Sequence, residues 1–370
     1  MSAAPTPTAP TPTVSAPPPA SRQPAGTSPI GRARTLSRAA AIGTFAAGAA
    51  VGALLGWATR SGVVLAVTYG VVLGTVALYG VSRALEGRRR ATDRLVTSLV
   101  YSAFALAMIP LVWLLEAVIR QGLARLDAQF FTESLFAVVN KGGGAYHAIM
   151  GTLIITGLTT LISVPIGLLT AIYLVEYGHG RLRQAINLLV DVMTGIPSIV
   201  AGLFAYALFE IFFGPGVRLG IAGAVALSVL MIPVVVRAAE EVLKLVPNEL
   251  REASYALGVP KWRTILKVVV PTAVAGLGTG ITLAIARVVG ETAPLLVTVG
   301  ITAVTNLNPF DGRMATLPVF AYYQLTRPGV PPQYATDRAW TAALLLIVLV
   351  MALNVVARLI SRLFAPKTGR

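Results

Sequence analysis

Residues Arg251–Pro271 read REASYALGVPKWRTILKVVVP, a charged stretch caught between two long apolar ones. The stretch opens as a helical pattern near Glu252 and Ala253, breaks at Gly258 and Pro260, and turns apolar again at Val268, with Pro271 close behind. Small residues at Ala253, Ser254 and Ala256 let a short helix sit close in a groove. Gly258 permits the left-handed turn that ends such a helix, and Pro260 keeps it from resuming at once. A charged helix–glycine–helix loop is poor anchoring material for a bilayer. It is built to be held by something outside the membrane.

Outward from this loop the chain is apolar. Of its 370 residues 55% are hydrophobic and 12% charged, against about 25% charged in a soluble domain. The expected fold is therefore all-α and polytopic, an integral membrane protein. Apolar segments fall at about 39–59, 62–82, 95–119, 146–175, 185–213, 219–236, 268–303 and 339–360, each able to supply the roughly 20 residues a spanning helix needs. That makes eight expected spans.

Several chemistries are excluded. There is no cysteine, and the two histidines, His147 and His179, stand far apart, so neither thiolate chemistry nor a zinc spacing is present. No G-x-x-x-x-G-K-[ST] loop occurs, so the chain has no phosphate cradle of its own for a nucleotide. The net charge of +15 follows the membrane and does not indicate nucleic acid. With the N-terminus inside and eight crossings, twenty-one Lys and Arg fall on the inner side and eight on the outer, with Arg287 within a span. That bias places both termini and the Arg251–Lys267 loop in the cytoplasm.

The division expected along the chain is a Pro/Thr/Ala-rich disordered cytoplasmic tail over 1–38, two extra spans with a basic loop over 39–94, and a six-helix domain over 95–365. The tail has no apolar periodicity and reads as partly polyproline II. Two longer outer loops are expected, 120–145 with a Gly-rich hinge and 304–338 with aromatics at the interface or on a docking surface.

Two span regions carry polar residues. In AIARVVGETAPLL, Ala284–Leu296, Arg287 and Glu291 are four apart, a spacing that puts them on one helical face, with Thr292 beside them. An ionised side chain at membrane depth costs at least ~2.5–3.5 kcal/mol, so it persists when paired or when it lines a polar path. The expectation is that Arg287 binds an oxyanion through its planar donor fork while Glu291 holds it in place. In DVMTGIPSIVAGLFAY, Asp191–Tyr206, the residues Asp191, Thr194 and Ser198 form a polar stripe at the start of a span, and Pro197 frees a backbone carbonyl. Arg237, Glu240, Glu241, Lys244 and Glu210 read as interfacial snorkelling, and the two histidines carry no role.

Glu252-Ala253-Ser254, then Gly258 after three residues and Pro271 thirteen further on, resembles the EAA loop of ABC importer permeases. Ser254 stands where the pattern has Ala, and Val268-Val269-Val270-Pro271 where it closes on I-x-L-P. Together with GIPSIV at 195–200, GETAPLL at 290–296 and GGGAYHAIMGTLIITGLTTLISVPIGLLTAIYLVEY at 142–177, the loop is similar to the phosphate ABC transporter permease family, the PstA-type subunit. The likeness covers roughly 95–365.

The resemblance implies a non-catalytic subunit of a bacterial plasma-membrane importer for inorganic phosphate, in which Glu252, Ala253, Ser254 and Gly258 couple to an ATPase. It implies a homologous second permease, two ATP-binding subunits that hold ATP and Mg, and an extracytoplasmic phosphate-binding protein as partners, with no cofactor in this chain. A permease for another oxyanion, the sister phosphate permease and an ion-gradient transporter remain as alternatives.

Overall fold

The computed structural model describes residues 36–59 and 62–364. Residues 1–35 of the expected tail, Arg60, and the last basic residues, Lys367 and Arg370, lie outside that range. Among the described residues there is no β-strand. The helices are α1 (Arg38–Ala58), α2 (Gly62–Glu86), α3 (Arg88–Gly122), α4 (Ala128–Thr132), α5 (Tyr146–Ile172), α6 (Gly180–Thr194), α7 (Ser198–Phe213), α8 (Gly220–Lys244), α9 (Asn248–Ala256), α10 (Lys261–Thr264), α11 (Val270–Val289), α12 (Ala293–Thr298), α13 (Leu317–Thr326) and α14 (Gln333–Phe364). Among the described residues, seven helical stretches are long and apolar enough to cross a bilayer, or eight if the bent pair α6–α7 counts as one.

The chain divides into two compact units, Met1–Leu111 and Val112–Arg370, with the division inside α3. In the first, α1 and α2 form a hairpin whose contact is made of glycine. A Cβ on Gly52 would lie 2.3 Å from the Tyr69 carbonyl oxygen, and one on Gly56 2.3 Å from the Ala66 Cα. With Gly48, these residues recur every fourth position on one face of α1. Such small-residue faces let helix backbones approach closely in lipid, where helix–helix association has no hydrophobic driving force. At the end of α2, Gly87 takes φ +85° and turns the chain into α3.

The second unit is built on α5 and α8, which run side by side. Ile155 of α5 and Leu227, Met231 and Val235 of α8 share a core with Val288 of α11 and Leu295 of α12. α11 lies along α8 and α14, and α13 lies on α14 and α5.

Three expectations change here. The apolar run 185–213 is two helices, α6 and α7, bent by 107° across residues 195–197, because Pro197 cannot continue the α6 backbone bonds. The run 268–303 is also broken. Its helix begins in the loop at Lys261, stops at Val289, and resumes as α12 after Gly290, Glu291 and Thr292. Finally, the outer segment 304–338 is not wholly surface, since Leu317, Val319 and Phe320 are fully buried, Phe320 against Ala145, Ala148 and Ala342.

Candidate functional site

The two helix breaks meet. Thr194, Ile196 and Ser198 from the α6–α7 break face Arg287 and Glu291 from the α11–α12 break across a cavity of about 200 Å³. Leu230 and Val234 of α8 form its apolar back wall. The meeting is fixed by close helix contacts. α12 is wedged between α7 and α8, so a Cβ on Gly202 would come within 2.6 Å of the Pro294 Cα, and one on Gly223 within 2.5 Å of a Val299 methyl. Discontinuous helices that meet inside a bundle are where membrane transporters place polar sites, because the freed backbone then faces a cavity and not lipid.

Each polar group of the cavity has a definite state. Thr194 returns its hydroxyl to the Val190 carbonyl at 2.9 Å. The first turn of α7 has no side-chain cap, and the Ser198 hydroxyl has no hydrogen-bond partner among the described residues. Arg287 is exposed and makes no ion pair or hydrogen bond among the described residues, and the same holds for the Glu291 carboxylate. The ion pair expected from the four-residue spacing is therefore not formed. α11 ends at Val289 with Gly290 as its cap, so Glu291 is past the helix and the i,i+4 relation does not apply. Thr292 is the cap residue of α12 and does not line the cavity.

Asp191 leaves the expected stripe. It lies on α6, before the bend, and accepts from Arg237 Nη2 of α8 at 2.5 Å. Arg237 also bonds Asn187 Oδ1 at 3.1 Å and Glu240 at 2.6 Å, and Lys244 closes the other side of Glu240 at 2.7 Å. Arg237, Glu240 and Lys244, read from sequence as interfacial snorkelling, instead pin α6 to the end of α8. The partners are about fifty residues apart, which no local pattern reveals.

The loop at 251–271 is a helical corner. α9 ends at Ala256, the chain turns at Gly258, whose φ is +74°, and α10 starts directly after Pro260. Ser254 is buried and shares a 2.8 Å hydroxyl contact with Thr264, so it locks α9 to α10 and does not face outward. Glu252 and Ala253 are exposed. Leu257, 83% exposed, and Trp262, 55% exposed, add an apolar outer surface that sequence reading did not single out. Underneath, the Arg251 guanidinium donates to Glu176 Oε1 at 3.0 and 2.9 Å and to the Leu243 carbonyl at 3.1 Å. Lys261 donates to the Glu176 carbonyl and sits over the Tyr177 ring at 4.9 Å. Glu176 lies in a π-helical turn, Tyr173–Tyr177, at the end of α5. A second π-helical turn, Ile265–Val269, joins α10 to α11.

Comparison with known proteins agrees with this geometry. Residues 163–370 match the family described as binding-protein-dependent transport system inner membrane component. The phosphate transport system permease protein PstA 1 of Mycobacterium tuberculosis is 49% identical over 283 residues, 76% of this chain and 92% of that one. The phosphate transport system permease protein PstA of Pasteurella multocida is 38% identical over 274 residues, 73% of this chain and 95% of that one. A chain in the crystal structure of a bacterial alginate ABC transporter, in complex with an alginate pentasaccharide-bound periplasmic protein, superposes with a TM-score of 0.54 over 75% of this chain and 97% of that one, at 14% identity, a likeness of fold alone. The chain belongs to the binding-protein-dependent transport system inner membrane components and, within them, to the PstA-type permeases.

Proposed function

We propose that this chain is one membrane half of an ATP-driven importer that moves inorganic phosphate into the cytoplasm. The observation that carries the reading is the unpaired Arg287 at the meeting of two helix breaks. A guanidinium exposed inside a span is costly in lipid, so that face belongs against another polar surface, which a homologous permease half supplies. There Arg287 and the Ser198 hydroxyl, with the uncapped first turn of α7, offer donors and positive potential to an anion in passage. The names of the relatives supply the anion. A single arginine makes a modest site, which suits a passage that must release its cargo. Tight selection then rests with an external phosphate-binding protein.

No chemistry is assigned to this chain. ATP and Mg belong to two partner subunits that grip α9 and the Leu257–Trp262 surface from the cytoplasm. The excess of Lys and Arg on one side supports that orientation, with both termini cytoplasmic. Closure of the ATPase pair pushes the loop. Through Arg251 and Lys261 the push reaches α5, and through the second π-helical turn it reaches α11, which carries Arg287. Each motion is a shift between two states that the partners bind differently. The six-helix domain does this work, and the first two spans take no part in it.

The test is phosphate uptake by the reconstituted complex with its binding protein. Arg287→Ala is expected to lower uptake ~10–100-fold, the worth of a charged hydrogen bond, while the ATPase stays assembled. Normal uptake by Arg287→Ala removes the residue from the pathway. Vanadate-insensitive uptake by this chain alone makes it an ion-gradient carrier, and a permease pair that moves sulfate no better when supplied with a sulfate-binding protein would place selectivity in the permease and not in the binding protein.

A further inference from the structure

The first compact unit holds a larger cavity, of about 1100 Å³, that the transport reading does not use. Small-molecule sites run to roughly 300–1,000 Å³, so this is room for an elongated amphiphile. Its walls are apolar: Ile42 and Phe45 of α1, Leu78 of α2, Leu106 and Ile109 of α3. From Arg90 to Ile109 the groove follows α3 for about 28 Å at 1.5 Å per residue, close to the thickness of a bilayer's hydrocarbon.

One end is charged. Arg38, Arg90, Arg94, Glu86 and Asp93 line it. Two of these neutralise each other. The Glu86 side chain, 1% exposed, takes Arg94 Nε at 2.6 Å and Nη2 at 2.9 Å, the Ser82 hydroxyl at 2.7 Å and the Leu36 amide at 2.7 Å. That knot ties the starts of α1 and α3 to the end of α2. Arg38 and Arg90 are exposed and make no ion pair or hydrogen bond among the described residues, as is also true of Asp93. Two free guanidinium forks thus stand at the headgroup end of an apolar channel.

We propose that this groove binds one anionic phospholipid, its phosphate between Arg38 and Arg90 and its acyl chains along Phe45, Leu78 and Leu106. Basic pockets between spanning helices take anionic headgroups for this reason, and a guanidinium fork matches phosphate oxygens. The lipid fills a cleft between three helices and fastens the unit to the leaflet at its charged end. The inference is independent of which anion the importer carries.

The full-length chain in its assembled complex, delipidated in detergent, is titrated with phosphatidylglycerol or phosphatidylcholine and read by native mass spectrometry. One phosphatidylglycerol is expected to bind tightly and phosphatidylcholine weakly. Arg38→Ala with Arg90→Ala should weaken the former about thirty-fold, about five-fold for each arginine. Arg88→Ala with Arg89→Ala, outside the cavity lining, should change it less than about two-fold, by the same reckoning that a headgroup reads nearby charge. Leu106→Trp leaves the arginines in place and narrows the channel, so it should weaken binding on its own; this keeps the test decisive if the arginine pair fails to fold. Equal binding of the two lipids, no loss in the Arg38/Arg90 variant, or an equal loss in the Arg88/Arg89 variant overturns the site. Tighter phosphatidylglycerol binding after removal of residues 1–35 would make the chain's own tail the occupant and overturn it as well.

Discussion

Arg251, on the short helix of the loop between α8 and α11, grips Glu176 at the end of α5 with two guanidinium nitrogens on one carboxylate oxygen, at 3.0 and 2.9 Å. Both side chains are nearly covered, 12% and 5% exposed. The same guanidinium also caps the end of α8 through the Leu243 carbonyl. One side chain therefore joins the loop to two spanning helices. In the proposed importer, a push on α9 is expected to reach α5 and α8 through this side chain.

Arg251→Ala leaves the Glu176 carboxylate buried and uncompensated, a loss of about 3–5 kcal/mol for a covered pair. The expected phenotype is uncoupling. ATP hydrolysis by the assembled complex continues while phosphate uptake per ATP falls at least about ten-fold, the equivalent of 1.4 kcal/mol. Glu176→Gln keeps an acceptor for Arg251 and should do less. Uptake and hydrolysis are measured together in proteoliposomes; a proportional fall in both would mean that the pair holds the fold and does not transmit motion.

Gly258 is in the left-handed region, φ +74°, in open space where an added Cβ meets nothing within 4 Å. Only backbone strain then opposes a side chain there, about 1–2 kcal/mol for an ordinary L-residue. Gly258→Ala should weaken association with the ATPase by that amount, roughly five- to thirty-fold, and Gly258→Asn should weaken it less because asparagine tolerates this conformation. Co-purification against a titration of the ATPase subunit reads the order. If Asn proves worse than Ala, the glycine is needed for space against the partner and not for its turn.

Much of the architecture was legible in the chain. The lengths of the apolar runs located the spans, and Gly258 with Pro260 placed the corner of the loop. The two helix breaks were partly visible as Gly195 with Pro197 and Gly290 with Pro294, but each sits inside a run whose hydropathy reads through it. The break then undid the periodicity argument for Glu291, since helical spacing holds only while the helix continues. Ser254 is expected, as a small residue, to let the loop helix sit close in a groove, yet its hydroxyl turns inward to Thr264. The Arg251–Glu176 and Arg237–Asp191 contacts join residues 75 and 46 apart, so only the folded chain brings them into view.

Gly52 tests the hairpin of the first unit. A Cβ there would lie 2.3 Å from the Tyr69 oxygen and 2.6 Å from the Gly70 Cα, all of it backbone that cannot swing aside. Gly52→Leu should force α1 off α2, with an overpacking loss of about 1–3 kcal/mol. Gly43→Leu, where an added Cβ meets nothing within 4 Å, is the matched control. The readout is the thermal midpoint of the purified protein in one detergent. Equal midpoints would mean that the two helices do not rely on backbone contact at Gly52.

Glu291 and Arg287 share a cavity without bonding each other, so their substitutions should not couple strongly. If the carboxylate held the guanidinium, Glu291→Gln would free Arg287 and reproduce most of the Arg287→Ala defect, and the double variant would be no worse than either single one. In the geometry described, the carboxylate stands by itself, and under the proposed pathway it would be a negative charge met by an anion beside Arg287. Glu291→Gln should then leave uptake near the starting rate or raise it, and the double variant should equal the sum of the two effects to within about 0.3–0.5 kcal/mol, the scatter for independent sites. Initial phosphate uptake rates for the four proteins at one ATP concentration complete the cycle. A coupling near 1–3 kcal/mol, the range for groups that act as a unit, would restore the ion pair as the working state of the cleft.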